Sequence, residues 1–192
     1  GITNRLLAAK VNKICVAYDS MDKYFPKDNI LMTGNPVRKN LIDIKATREE
    51  ATQYFNLDEN RKTVLVLGGS GGAKSINNGI ISSLELIEHS PDVQFIFQCG
   101  QFYYKKVKEI VDAKPGLQLK LFDFISRMDM AFRAADVIIS RAGAGTISEL
   151  CIIGKPVILI PSPNVAEDHQ TKNARALEKI EAARVVKDCE TE

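Results

Sequence analysis

From Lys62 onward the chain alternates short, unbroken apolar runs with longer amphipathic stretches, a pattern that few folds accept. The runs lie at 64–67, 93–97, 117–122, 137–139, 157–160 and 184–186. They are rich in β-branched residues and do not alternate with polar ones, which is how strands covered on both faces read. Between them, residues 73–89, 102–113, 128–135, 146–154 and 169–183 read as helices. Strand and helix repeated in this order require crossover connections, and those are right-handed. The expected fold class is therefore α/β, a Rossmann-like open parallel sheet with helices on both faces.

The preceding residues differ. Residues 13–16 and 29–32 read as two short strands around a segment, 18–24, with room for one or two helical turns. Gly34-Asn35-Pro36 then breaks regular structure, because proline pushes its predecessor out of the helical region. A domain boundary is expected there, with residues 1–34 closing one domain and residues 35–192 forming a nearly complete second one. A short helix is expected at 48–55, ahead of the first strand of that domain. The chain opens without Met on what reads as a helix already under way, and it stops soon after Val185-Val186. Both ends read as cuts, so the second domain is expected to be truncated at its C-terminus.

Composition narrows the function. Lys plus Arg number 26 and Asp plus Glu 24, a net charge of +2. That balance implies no basic stripe, so nucleic acid is not an expected partner. The longest apolar run, 156–161, falls far short of the roughly 18 residues of a membrane span. Cys15, Cys99, Cys151 and Cys189 form no C-x-x-C pair, and the first three sit in apolar contexts. They are expected to be reduced and packed as small hydrophobes. His89 and His169 have no third ligand at metal-site spacing, and no metal or other cofactor is expected.

The most informative stretch is Leu67-Gly68-Gly69-Ser70-Gly71-Gly72-Ala73-Lys74-Ser75, which joins an apolar run to a helix. Glycine lets the backbone turn tightly and lets a ligand approach the amides. A helix N-terminus adds free N–H groups and a positive dipole end, so an anion is the natural guest. Two familiar nucleotide loops fail on particular positions. Ala73 separates Gly72 from Lys74, which puts a P-loop lysine out of register. The dinucleotide fingerprint would need its third glycine at Lys74, and the second strand ends Gln98-Cys99-Gly100 without an acid. A tight turn holding no ligand is the alternative.

A second loop, Ser140-Arg141-Ala142-Gly143-Ala144-Gly145-Thr146-Ile147-Ser148-Glu149, repeats the theme after the run at 137–139. Gly143 and Gly145 bare their amides, and Thr146 or Ser148 can offer a hydroxyl. Glu149, one turn into the helix, is either a first-turn acid matched to the dipole or a carboxylate for a ribose diol. Both loops fall at the carboxyl edge of a parallel sheet, where open α/β folds bind ligands. A third segment, 161–174, offers Asp168 as a helix cap and sets Gln170 and Asn173 on one helix face. Side-chain amides suit sugar hydroxyls, a solvated helix start being the plain alternative.

Taken in order, Gly34-Asn35-Pro36-Val37-Arg38, Gly68-Gly69-Ser70-Gly71-Gly72-Ala73, Arg141 through Glu149 and Asp168-His169-Gln170-Thr171-Lys172-Asn173-Ala174 resemble the MurG family. These are the bacterial N-acetylglucosaminyltransferases that convert lipid I to lipid II in peptidoglycan synthesis. Thr3-Asn4-Arg5-Leu6-Leu7 also resembles the end of that family's first domain, so the resemblance spans essentially the whole chain. It implies the GT-B arrangement, two Rossmann-like domains facing a cleft. The C-terminal domain would hold the UDP-GlcNAc donor, and the N-terminal one the lipid I acceptor, the membrane-facing surface and the general base. Residues 1–34 would then be the tail of the acceptor domain and 35–192 the donor domain.

Carried over residue by residue, the resemblance puts Arg38 in the nucleotide site and Ser70 near the diphosphate. It sets Phe124 and Ile125 around the uracil, with the backbone of Ile125 reading its edge. Ala144, Gly145, Thr146, Ile147, Ser148 and Glu149 match the segment on diphosphate and ribose, with Glu149 on the ribose hydroxyls. Gln170, with His169 and Asn173, matches residues reaching the sugar, although the family often has two glutamines where this chain has His169-Gln170. The implied reaction displaces UDP from C1 of GlcNAc with inversion. The chain has no Asp-x-Asp pair of the kind metal-using transferases carry, and no catalytic residue is expected in it. The implied setting is peripheral, on the cytoplasmic face of the bacterial inner membrane, with lipid I and the membrane met through the other domain. A UDP-GlcNAc epimerase of GT-B fold and a nucleotide-binding subunit without chemistry are the alternatives.

Overall fold

The computed structural model describes residues 2–165 and 168–191. The chain divides into two compact units, Gly1–Val37 and Arg38–Glu192. In the first, helix α1 (Ile2–Ala8) precedes strands β1 (Ile14–Val16) and β2 (Ile30–Met32). The strands pair in parallel, Ile14 opposite Ile30, and two short 3-10 turns lie between them. The N–H groups of Thr33 and Gly34 both donate to Val16 O, and Gly34 then turns with φ +72°.

The second unit is built on one six-stranded sheet. Its strands are β3 (Lys62–Leu67), β4 (Val93–Gln98), β5 (Leu119–Phe122), β6 (Val137–Ser140), β7 (Val157–Leu159) and β8 (Arg184–Val185). All pairings are parallel, in the order β5-β4-β3-β6-β7-β8. Two short helices, α2 (Lys39–Ile42) and α3 (Arg48–Tyr54), precede the sheet. The crossovers carry α4 (Lys74–Ser82), α5 (Leu84–Glu88), α6 (Gln101–Asp112), α7 (Met128–Ala134), α8 (Ala144–Ile153) and α9 (His169–Lys179). Helices α4, α5 and α6 pack together, as do α2, α3, α7, α8 and α9. Right-handed crossovers running in opposite directions from β3 put these two groups on opposite faces. The central strand is covered on both sides: Leu65 and Val66, which point to opposite faces, are fully buried. Val66, Phe97, Ile76 and Val107 form the core under α4 and α6.

The strand order matters for function. The chain builds outward through β4 and β5, returns to the other side of β3, and builds outward again through β7 and β8. At that reversal the connections leaving β3 and β6 part to opposite faces, and a crevice opens at their carboxyl ends.

Three expectations need correction. The helix expected at 73–89 is two helices, broken at Ser83. The hydroxyls of Ser82 and Ser83 donate to Gly79 O at 3.1 and 2.8 Å, competing with backbone donors for a helix carbonyl. Of the cysteines expected to pack as hydrophobes, only Cys99 is buried, while Cys15 and Cys151 are exposed, as is Cys189. All four are free. Burial pushes the Cys99 thiol up to about 11, which keeps it protonated and inert. A third difference lies at the far end, where α9 stops at Lys179 rather than at 183, and Glu181 turns the chain with φ +58°.

The amino-terminal end of the two central strands is tied by Asp136. Its carboxylate accepts from both terminal nitrogens of Arg48, at 3.1 and 2.9 Å, and from Thr63 N at 2.8 Å. Burial by itself would raise the Asp136 pKa, but the Thr63 N–H and the Arg48 guanidinium outweigh it and hold the carboxyl below its usual range. A lowered folded pKa stabilises the fold above the unfolded value of about 3.9, and that stability is lost as pH falls through the folded value. Asp136→Asn should therefore cost about 2 kcal/mol between pH 5 and 7. The gap to wild type should close below about pH 4, as followed by urea titration at each pH. A gap independent of pH would show that the charge plays no part.

Candidate functional site

Three loops and one strand end meet at the crevice. The loop after β3 carries the first glycine motif, and much of its glycine content serves the fold. Gly72 (φ +80°) and Gly100 (φ +88°) cross at contact distance, so a Cβ on Gly100 would lie 2.3 Å from Gly72 N. One on Gly72 would lie 2.3 Å from Cys99 O. Asn77 Nδ2 donates to the same carbonyl at 3.0 Å and holds α4 against the crossing. Gly71 and Gly145 are different. A Cβ on either would meet nothing within 4 Å, and neither has a positive φ. The fold asks for no glycine at those two positions, which leaves close approach from outside as the use of a bare backbone.

Beside the crossing lies a cleft of about 260 Å³, lined by Arg38, Ser70, Gln98, Ile125, Thr146 and Glu149 among others. These residues come from five separate stretches of sequence and converge only through the strand order. A second cleft of about 590 Å³ shares Arg141 with the first and is lined by Ser75, Tyr103, Asn164 and Gln170, among others.

Glu149 and Arg38 are a pair. Arg38 Nε and Nη2 donate to the two carboxylate oxygens at 2.8 and 3.0 Å, a bidentate arrangement. The carboxylate side is 13% exposed and the guanidinium side 49%. Helix α8 begins at Ala144, so Glu149 stands in its second turn, past the reach of the dipole at the N-terminus. The account of Glu149 as a first-turn acid therefore fails. A carboxylate has about four acceptor positions and Arg38 takes two, so a diol facing it still has acceptors.

Gly143, at the N-cap of α8, has no side chain with which to cap the helix. Its ladder starts with Ile147 N donating to Gly143 O, so the amides of Gly145 and Thr146 stand before the ladder begins. Ser148 Oγ turns inward and donates to Ala144 O at 3.1 Å, which spends its hydrogen on the helix. Of this segment, Thr146 and Glu149 line the first cleft, while Ala144, Gly145, Ile147 and Ser148 do not.

The third segment supports the second loop. Gln170 Oε1 accepts from Ala142 N at 3.2 Å and from Ser162 N at 3.0 Å. Asn173 Nδ2 donates to Ala142 O at 3.1 Å. Gln170 lines the second cleft; Asn173 and the exposed His169 line neither. Asp168 stands ahead of α9 with φ +50° and makes no side-chain cap, its Oδ1 accepting instead from Thr171 Oγ1 at 2.6 Å. Arg141, inside the second motif, is committed to structure. It donates to Ile160 O at 3.1 Å and Ser75 Oγ at 2.9 Å and pairs with Asp188, tying the C-terminal segment to the start of α4.

Gln98 is the residue that the sequence reading missed. It ends β4, is 4% exposed, and joins two loops: Nε2 donates to Gly69 O and Oε1 accepts from Ile125 N, both at 3.0 Å. The one visible signal was a glutamine closing the otherwise apolar end of the run Phe95-Ile96-Phe97. The Ile125 N–H, expected at a base edge, thus already has an internal partner. Among the described residues no group of three or more His, Cys, Asp or Glu can hold a metal ion, and no helix is long and apolar enough to cross a membrane.

Residues 63–192 match the model of the glycosyltransferase family 28 C-terminal domain. The chain belongs to this family. Over its full length it is 56% identical to the UDP-N-acetylglucosamine--N-acetylmuramyl-(pentapeptide) pyrophosphoryl-undecaprenol N-acetylglucosamine transferase of Bacteroides fragilis, covering 51% of that protein. It is 52% identical to the enzyme of the same name from Flavobacterium psychrophilum, over 98% of the chain and 50% of the relative. The chain thus spans about half the length of these relatives. Among solved structures, MurG of Acinetobacter baumannii aligns with TM-score 0.66 and 28% identity, over 98% of this chain and 50% of that one. The UDP-GlcNAc 2-epimerase of Neisseria meningitidis aligns with TM-score 0.61 over 96% of this chain and 51% of that one. At 18% identity that likeness is one of fold alone. The family match favours a transferase over the epimerase alternative.

Proposed function

We propose that this chain is the donor-binding part of an inverting transferase that moves GlcNAc from UDP-GlcNAc to lipid I, forming lipid II for peptidoglycan. The observation that carries the reading is the convergence of Arg38, Ser70, Ile125, Thr146 and Glu149 on one cleft at the point where the strand order reverses. The uracil lies against Phe124 and Ile125, and the ribose diol meets Glu149 beside Arg38. The diphosphate lies between Ser70 and the start of α8. As UDP leaves C1, negative charge grows on the diphosphate, and fixed amides and the α8 dipole stabilise it without reorganising. The sugar extends toward the cleft lined by Gln170. His169 and Asn173 act around it, Asn173 by holding the Ala142 peptide in place.

On this reading residues 1–34 close the acceptor domain and residues 35–192 make the donor domain. The general base, the lipid I site and the surface that meets the cytoplasmic face of the inner membrane belong to the rest of the full-length enzyme. Calorimetry on the chain should show UDP bound at least tenfold more tightly than GDP or ADP, because the base is read by the Ile125 carbonyl, the N–H being taken by Gln98, and a mismatched base leaves that carbonyl unpaired. A lipid I analogue with UDP-GlcNAc should give no transfer above background. Equal affinity for the three nucleotides would mean that the loops read only phosphate, and turnover by the chain alone would overturn the assignment of the base to another domain.

A further inference from the structure

Gln98 carries an inference beyond the assignment of donor and acceptor. It is almost fully buried, yet it lies at the boundary of the cleft and touches both of its walls. A buried primary amide has to satisfy a donor end and an acceptor end at once. Here Nε2 meets the carbonyl of Gly69, in the first glycine loop, and Oε1 meets the N–H of Ile125, in the loop after β5. The orientation is fixed by chemistry, since the flipped amide would set N–H against N–H and oxygen against oxygen. The backbone of Gln98 adds a third tie, its carbonyl accepting from Gly68 N at 3.0 Å. Among the described residues, no other side chain lining the cleft bonds both loops.

We infer that Gln98 is a positioning residue that sets base selectivity, by fixing the spacing between the Gly69–Ser70 backbone and the Phe124–Ile125 backbone. This rests on the reading that the cleft takes a nucleoside diphosphate with its base against Phe124 and Ile125. Phe124 is half-exposed at the rim, and Ile125 is anchored from within through Gln98. A neutral amide is the group that serves. Glutamate would turn a second acceptor and a charge toward the Gly69 carbonyl, and methionine would satisfy neither backbone group while keeping the length and most of the volume.

The test uses the chain itself, with Gln98→Met, and titrates UDP, ADP and inorganic pyrophosphate by calorimetry. The two nucleotides share the diphosphate, so their affinity ratio reports on the base alone. The variant should bind pyrophosphate within about twofold of wild type, while the preference for UDP over ADP falls at least tenfold. If all three affinities fall together, Gln98 merely holds up the loop and the inference is overturned; the same holds if the preference is unchanged. If wild type itself shows no preference for UDP, the nucleoside reading of the cleft fails first, and the inference falls with it. A second measurement needs no variant. The Ile125 amide hydrogen should exchange slowly in the wild-type chain without nucleotide, and exchange as fast as an exposed loop amide would overturn the inference.

Discussion

Gly100→Ala should be the most damaging small substitution in this domain. Gly100 has φ +88° and ψ 149°, a region essentially closed to residues with a Cβ. Entering it costs about 1–3 kcal/mol. The added Cβ would also lie 2.3 Å from Gly72 N and Cα, backbone atoms with no soft end to move. Relief requires the loops after β3 and β4 to separate, an overpacking cost of about 1–3 kcal/mol more. The expected loss is about 3–5 kcal/mol, a drop in melting temperature of roughly 6–20 °C at this chain length. Gly71→Ala, in the same motif, should leave the melting temperature within about 2 °C of wild type, because its Cβ meets nothing and its φ is ordinary. Equal effects at the two positions in thermal denaturation would refute the division of the motif into a structural crossing and an open edge.

Glu149→Gln should reduce UDP affinity by roughly ten- to a hundredfold. The change keeps shape and length but removes charge-assisted hydrogen bonds, worth about 1.5–3 kcal/mol. It also breaks the bidentate pair with Arg38, whose guanidinium would be left facing a neutral amide. A double-mutant cycle with Arg38→Gln separates the two effects, since groups in direct contact couple by about 0.5–3 kcal/mol. The ribose contact itself is read with 2′-deoxy-UDP. Wild type should bind it more weakly than UDP, and Glu149→Gln should barely distinguish the two. If the variant keeps wild-type discrimination between the two ligands, another group reads the ribose. If Arg38→Gln alone accounts for the whole loss, the arginine is the binding group and Glu149 only orients it.

Much of the architecture was legible because its signals are local. The runs at 64–67, 93–97 and 137–139 are strands within a residue or two of the expected bounds, since unbroken β-branched runs suit only strands covered on both faces. The break in the 73–89 helix was not read, because a serine hydroxyl that turns back on its own helix looks no different in sequence from one facing water. The cysteines misled for a related reason. Cys15 lies between Ile14 and Val16 and Cys151 between Leu150 and Ile152, but apolar neighbours along the chain do not fix which way a residue points, and both cysteines face outward.

Period and glycine spacing were enough to specify an α/β fold on a parallel sheet, motif order to specify the family, and together they marked the stretches that line the cleft. The strand order decided what those stretches do to one another. Because β4 pairs with β3 and β5 with β4, Gln98 comes to lie between Gly69 and Ile125 and Gly100 meets Gly72, and because β6 returns beside β3, Glu149 is brought to Arg38. Each of these contacts joins residues separated by many positions, and no local propensity encodes such a pairing. It exists only once the sheet has closed its register and the loops at the carboxyl edge have no other space to occupy.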